Sequence, residues 1–276
     1  MIRQVFLGGT EVDVETFKFP DNQPHVILKR KLFWPVDSAR IICSITSSDD
    51  LMELLLVKQI IDSLGIRKVT LDISYLMGAR MDRAIADYQP WTLKVITDIL
   101  SNAFDHNCSI NTFDIHSEVS TAVLNSVNVL PFRQVEVVLD NQTSNTVVII
   151  PDLGATKRVE LILAEIQKIT GEQYEMVQCL KHRDMQTGQL SGFRVLDPEK
   201  VNGKVCVIVD DLCDGGGTFV GIAKKLRDAG AIKVVLYVSH GIFSKGWPLE
   251  GIDEIWTTDS YKRNDEILGL HVLHAW

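Results

Sequence analysis

Val205-Cys206-Val207-Ile208-Val209-Asp210-Asp211-Leu212-Cys213-Asp214-Gly215-Gly216-Gly217-Thr218 decides how this chain is read. An apolar run ends in paired acids, a glycine-rich turn follows, and Thr218 leads into a helical stretch from Phe219 to Gly230. Val205 to Val209 has the length and β-branched content of a buried parallel strand. Parallel sheets gather ligands at the carboxyl ends of their strands. Asp210 and Asp211 stand at such an end and suit ribose hydroxyls, met directly or through a metal. Gly215 to Gly217 let backbone N–H groups close around a phosphate at a helix N-terminus, where the dipole also favours an anion. A plain acidic turn with a glycine linker is the competing reading. It gives no reason for strand, acids, glycines, Thr and helix to follow in this order. No Gly-Lys-Ser/Thr follows, so this is not a Walker A loop.

Working outward, strands and helices alternate. Strands are expected at Ala39 to Ile45, Lys68 to Ile73 and Ser109 to Ile115. Helices are expected at Asp49 to Leu64, with Leu51, Leu54, Leu55, Ile60 and Ile61 inward, and at Trp91 to Ala103. A polar break covers Asp140 to Thr146. Beyond it come strand Val147 to Ile150, helix Thr156 to Thr170, strand Tyr174 to Leu180, the opening strand and helix, strand Lys233 to Ser239, and short strands to the end. Such alternation argues for α/β layers around a largely parallel sheet. Each half carries a similar series, so two related α/β domains are expected, residues 1–139 and 140–276.

The 276 residues are ample for a buried core, and 46% hydrophobic with 23% charged is a globular composition. A net charge of −8 argues against a general nucleic-acid binder, which needs a basic surface. Cys43, Cys108, Cys179, Cys206 and Cys213 are scattered without a CxxC pair, so neither a zinc site nor a disulfide framework is indicated. Cys213, within the glycine-rich turn, reads as a small packing residue. The N-terminus has no basic region with a long apolar core, and no stretch reaches a membrane span. A cytoplasmic setting with no membrane partner is expected.

The opening segment resembles the phosphoribosyl-pyrophosphate (PRPP) motif of type I phosphoribosyltransferases and of ribose-phosphate pyrophosphokinases. That pattern has Thr or Ser where Gly215 stands, so one hydroxyl is missing while the backbone donors remain. Further segments resemble the pyrophosphokinases, in that family's order. Gly78-Ala79-Arg80-Met81-Asp82-Arg83 is similar to an ATP-site segment, with Met81 in place of Gln. Gln89-Pro90-Trp91-Thr92-Leu93-Lys94 supports the register. Phe113-Asp114-Ile115-His116-Ser117 is similar to the segment whose His joins the magnesium–ATP site. Pro151-Asp152-Leu153-Gly154-Ala155-Thr156-Lys157-Arg158 is similar to a metal-site turn, with Ala155 in place of Gly. Read on their own, Asp152 is a helix cap worth about 1 kcal/mol, and Lys157 and Arg158 are a solvated helix face. Lys181-His182-Arg183, opening a polar stretch to Gly188, resembles the flexible catalytic loop. Lys18-Phe19-Pro20-Asp21-Asn22-Gln23 resembles a loop that packs on the adenine of a neighbouring subunit's ATP.

The resemblance implies two tandem type I phosphoribosyltransferase-like domains, ATP-side first and ribose-side second. It implies a Mg2+-dependent enzyme that moves the β,γ-diphosphoryl group of ATP to ribose 5-phosphate. By resemblance Phe19, Asp21, Gln23, Arg80, Asp82 and His116 hold ATP. Asp210, Asp211, Asp214, Gly215, Gly216, Gly217 and Thr218 hold ribose 5-phosphate. His116, Asp152, Asp210 and Asp211 form the metal side, and Lys181 and Arg183 stabilise the transition state. The shared adenine loop implies a homo-oligomer, a dimer or larger. The N-terminal Phe6-Leu7-Gly8-Gly9-Thr10 only partly matches the family opening and the chain ends early at Trp276, which puts allosteric control and a hexamer in question. Two alternatives stay open: a type I phosphoribosyltransferase, which needs one such domain and no ATP side, and a catalytically silent regulatory subunit, which should have lost His116 or the Lys181–Arg183 pair.

Overall fold

The computed structural model describes residues 1–29, 36–105, 107–143, 145–183, 190–261 and 270–276, which form two compact units, Met1–Val129 and Leu130–Trp276. Each is an α/β layer with a largely parallel sheet flanked by helices. The polar stretch expected to separate them, 140–146, lies inside the second unit. The reason is packing: the helix before it shares a core with the strand after it.

In the first unit the elements are β1 (Ile2–Leu7), β2 (Thr10–Val12), β3 (Val14–Lys18), β4 (Pro24–Leu28), β5 (Ser38–Ile45), α1 (Ser48–Ser63), β6 (Lys68–Leu76), α2 (Thr92–Ala103), β7 (Cys108–Phe113), α3 (Glu118–Leu124) and β8 (Val127–Val129). The sheet order is β2-β1-β5-β6-β7-β8; β1 is antiparallel to its neighbours and β5 to β8 run parallel. β3 and β4 form a separate hairpin. α1 starts at a capping box, with Ser47 and Asp50 each accepting the other's backbone N–H. Its buried line is Leu54, Val57, Lys58 and Ile61, while Leu51, Leu55 and Ile60 are only half-buried. The expected apolar face is therefore turned: i, i+3, i+4, i+7 geometry centres the line one residue away. Lys58 accommodates this by lying along the core and donating to Asp62 at 2.7 Å.

The second unit contains α4 (Phe132–Asp140), β9 (Thr146–Ile150), α5 (Thr156–Thr170), β10 (Glu175–Arg183), β11 (Leu190–Val195), β12 (Val205–Cys213), α6 (Gly217–Asp228), β13 (Lys233–Gly241), β14 (Glu254–Thr258) and β15 (Leu270–Leu273). The order is β11-β10-β9-β12-β13-β14-β15, with only β11 antiparallel. Successive residues of a strand face opposite sides. Val147 and Ile149 of β9, with Cys206 and Ile208 of β12, join α6 through Phe219 and Ile222. Val148, Ile150, Val205, Val207 and Val209 join α4 through Val135 and Val138, and α5 through Val159 and Ile162. Both faces are covered, which is why β9 and β12 are continuous apolar runs rather than alternating ones.

Four strands outrun their sequence readings: β6 reaches Leu76, β13 reaches Gly241, and β10 and β12 extend at the candidate site. β12 continues through the paired acids to Cys213, because β13 supplies backbone partners as far as Gly241. β10 continues to Arg183, because β11 folds back antiparallel on it.

The helix α6 approaches β11 closely at Gly221, where a Cβ would overlap the Phe193 ring. Gly221→Ala is expected to destabilise the second unit by about 1–3 kcal/mol through overpacking. Urea unfolding checks this, and adding Phe193→Leu should recover much of the loss.

Candidate functional site

The ATP-like segments of the first unit follow the carboxyl ends of β6 and β7. Gly78 has φ +79°, and a Cβ there would stand 2.8 Å from Ile96 Cδ1, so the turn tucks against α2. Asp82 is half-buried and accepts from Ser117 Oγ at 2.8 Å. That bond joins the Arg80–Arg83 segment to the His116–Ser117 segment. Arg80 and His116 are both exposed beside it. Asp114, in the left-handed region at φ +41° and fully buried, turns the chain out of β7; its N–H donates to the Val129 carbonyl at 2.9 Å. The expected adenine loop is the tip of the β3–β4 hairpin. Phe19 is 48% exposed and packs edge-on against Phe17 at 5.2 Å and tilted against His25 at 5.5 Å. Asp21 accepts from the Gln23 N–H at 3.3 Å.

In the second unit, β9, β10, β12 and β13 run parallel, so Ile150, Arg183, Cys213 and Gly241 end at one edge. Asp152 follows β9. Its carboxylate accepts from the N–H groups of Gly154 at 3.0 Å and Ala155 at 3.2 Å, capping the turn that leads into α5. In the first turn of α5, Arg158 points across to the neighbouring strand. It forms an ion pair with Asp210 and stands 3.4 Å from Asp211. The side chains are 14%, 16% and 7% exposed, so the expected solvated face at Arg158 is instead a buried ion-pair network. Lys157 keeps the exposed position.

Burial pushes the Asp210 carboxyl up to about 8, and the neighbouring Asp211 charge adds to the rise; Arg158 pulls the other way without reversing it. Asp210 further accepts the Asp211 N–H at 2.9 Å. This cluster has the hard oxygen donors that Mg2+ prefers. Mg2+ binds through one or two carboxylates together with water and substrate phosphates, so it does not require a closed protein cage. Among the described residues no three His, Cys, Asp or Glu groups cluster as a metal site. The open carboxylate pair has the donor chemistry that a magnesium ion takes. Of the residues expected on the metal side, His116 lies in the first unit and Asp152, Asp210 and Asp211 in the second.

The glycine turn opens α6. Gly216 is the N-cap of α6 at φ +73°, and a Cβ there would meet Leu249 Cδ2 at 2.5 Å. Its carbonyl accepts from the Phe219 and Val220 N–H groups at 3.0 and 3.1 Å. Asp214 accepts from Ser244 Oγ at 2.5 Å, and the Asp214 carbonyl accepts the Ser244 N–H at 3.2 Å. The Ile242 and Phe243 N–H groups donate to the Cys213 carbonyl at 2.9 and 3.1 Å. Residues 242–249 thus brace the turn. Cys213 is fully buried and its thiol is pushed up to about 12 mainly by burial, the state of a packing residue rather than a reactive one.

Lys181 donates from Nζ to Thr218 Oγ1 at 3.1 Å. The lysine expected in a catalytic loop is therefore on β10 itself, as is Arg183, because β11 extends the ladder past Leu180. The polar stretch Asp184 to Gln189 lies outside the described residues. Sequence reasoning missed Arg158 as a site residue; a basic residue two turns of chain after a strand-end acid is too common a pattern to single out.

Residues 195–266 match the family described as the phosphoribosyl synthetase-associated domain. Ribose-phosphate pyrophosphokinase of Pyrococcus furiosus is 28% identical over 239 residues, covering 85% of this chain and 80% of the relative. That of a Marinomonas species is 30% identical over 234 residues, covering 80% and 70%. The crystal structure of phosphoribosylpyrophosphate synthetase from Mycobacterium smegmatis superposes with a TM-score of 0.73 at 20% identity, over 95% of this chain and 86% of that one, and so shares the fold.

Because the Asp210 carboxyl titrates higher folded than unfolded, the folded state holds the extra proton between about pH 4 and about pH 8. Its contribution is full below the unfolded value and is lost as pH rises through the folded one. The melting temperature is expected to fall from pH 6 to pH 9, and to fall less in Asp210→Asn; scanning fluorimetry across that range checks it.

Proposed function

This chain belongs to the ribose-phosphate pyrophosphokinase family, and on that premise we propose that it transfers the β,γ-diphosphoryl group of Mg-ATP to the 1-hydroxyl of ribose 5-phosphate, giving PRPP and AMP. The observation that carries the reading is the 3.1 Å hydrogen bond from Lys181 to Thr218. It ties the residue assigned to transition-state charge to the loop assigned to the 5-phosphate.

In this reading residues 1–129 bind ATP and residues 130–276 bind ribose 5-phosphate. The N–H groups of Gly215 to Thr218 and the α6 dipole hold the 5-phosphate, with Asp214 closing the loop. Asp210 and Asp211 receive the 2- and 3-hydroxyls, oriented by Arg158. Arg80 neutralises triphosphate oxygens with its planar fork, next to Asp82 and His116. Mg2+, when bound, supplies charge neutralisation on the phosphate oxygens. Asp210, Asp211 and Asp152 offer it oxygen ligands on the ribose side, and His116 serves the metal on the ATP side. Lys181 and Arg183 stabilise the negative charge that develops on the transferring group and on the leaving AMP. Little base catalysis is needed, since positioning and charge stabilisation dominate phosphoryl transfer. Phe19, Asp21 and Gln23 form the adenine platform of a neighbouring subunit, which makes the active unit a dimer or larger. Buried Cys43, Cys179, Cys206 and Cys213, all free thiols, suit a reducing cytoplasm.

Incubation with ATP, Mg2+ and ribose 5-phosphate should release AMP and PRPP in equal amounts, with no AMP when ribose 5-phosphate is omitted. Steady ADP release would replace this reading with an ordinary kinase. Lys181→Ala is expected to lower kcat by on the order of a hundredfold while changing substrate KM values less, because the charge it meets develops in the transition state.

Phe19→Ala should raise the KM for ATP without unfolding the protein. Light scattering should give at least a dimer at the assay concentration. A monomer of full specific activity would remove the shared platform and leave the chemistry standing.

A further inference from the structure

Gly215 carries no side chain, yet the space beside it is filled. A Cβ built at Gly215 would stand 3.4 Å from both Cδ and Cε of Lys245 and 3.8 Å from its Cγ. The lysine stem therefore lies along the outside of the turn, with Nζ one bond beyond Cε. Its position is fixed from both sides in sequence. Ser244 is bonded to Asp214 through side chain and backbone. Leu249 packs at Gly216, and the Gly246 N–H donates to the Phe243 carbonyl at 2.9 Å. Phe243, at φ +46°, takes the left-handed turn that throws residues 244–249 back over the loop.

Charge also bears on Lys245. Five lysines of this unit meet carboxylates: Lys168 meets Glu165, Lys200 and Lys204 meet Glu175, Lys225 meets Asp228, and Lys233 meets Glu254. Lys245 is exposed and has no carboxylate partner among the described residues. An ammonium held on the rim of a turn of backbone donors, at the positive end of α6, is costly without an anion to share it. It is well placed when one is present, since lysine serves as a point charge for phosphate.

We propose that Lys245 is a positioning residue for the 5-phosphate of ribose 5-phosphate, supplying the side-chain donor that Gly215 cannot. The proposal rests on the reading of this loop as the 5-phosphate site. Lys181 reaches the same loop from β10 at Thr218, on the side opposite the segment after β13 in sequence. Lys181 acts on the reacting group, whereas Lys245 acts on affinity for the sugar phosphate.

The test compares wild type, Lys245→Ala, Lys245→Arg and Lys245→Ala/Gly215→Thr, each confirmed folded by circular dichroism. In Lys245→Ala the KM for ribose 5-phosphate should rise about tenfold while the KM for ATP and kcat change by less than about threefold. Calorimetry should show the same loss for ribose 5-phosphate binding. Lys245→Arg should retain most of the affinity, and the added Thr hydroxyl should restore part of it. Rising salt should weaken wild type more than Lys245→Ala. Unchanged ribose 5-phosphate affinity in Lys245→Ala, with AMP and PRPP still formed, overturns the role of Lys245 and leaves the reaction in place. Equal losses for ATP and ribose 5-phosphate overturn it too. Lysine-dependent ribose 5-phosphate binding without AMP formation would uphold Lys245 and overturn the diphosphoryl-transfer reading.

Discussion

Arg158 holding Asp210 and Asp211 together is the constraint on which the carboxyl edge of the second sheet depends. Two carboxylates side by side in a place shielded from water repel each other and lose hydration, and neither cost is repaid by packing. A guanidinium spanning both returns part of that energy and fixes where the oxygens point. The geometry follows from strand lengths. β9 stops at Ile150 while β12 runs on to Cys213, so the acids project past the end of their neighbour. The chain leaving β9 turns at Asp152 and enters α5, whose first turn delivers Arg158 to that height. A cation thus stands over the strand-end acids and spans both of them.

Strain collects at the same edges. Asp114 at φ +41° follows β7 in the first unit and Phe243 at φ +46° follows β13 in the second. Neither residue is glycine, and such conformations cost on the order of 1–3 kcal/mol each. Hydrogen bonds hold each in place: Asp114 N–H to Val129, and Phe243 N–H to Cys213. In both units the strained turn positions a segment assigned to substrate, His116–Ser117 in one and Ser244–Lys245 in the other. The central strands of each sheet are well packed, one face of the first sheet and both faces of the second meeting an apolar core.

The glycine turn that opens α6 is built largely from groups outside it. Glycines open the N–H groups, but they leave no side chain to police the pocket. The structure surrounds them with borrowed groups: Leu249 against Gly216, Lys245 along Gly215, Ser244 on Asp214, and Lys181 on Thr218. These come from segments distant in sequence.

The sequence alone determined the α/β class, the helix Thr156–Thr170 and the cores of most central strands. It also placed the glycine turn at the start of a helix. These features are local: side-chain period, β-branched content and turn chemistry act within a few residues, and they were legible there. Short edge elements such as β1 to β4, β8 and β11, and the helices α3 and α4, lack a long enough pattern to announce themselves. Tertiary structure decided the rest. Ladder partners carried β12 through Asp210 and Asp211, and β11 drew Lys181 and Arg183 onto a strand. α4 shared its core with β9 and α5, moving the boundary between units to Val129 and Leu130. Arg158 found its acids, and Lys245 its glycine, across 52 and 30 positions of chain. Pairings at such separation depend on which strands lie side by side, and no local pattern encodes that order.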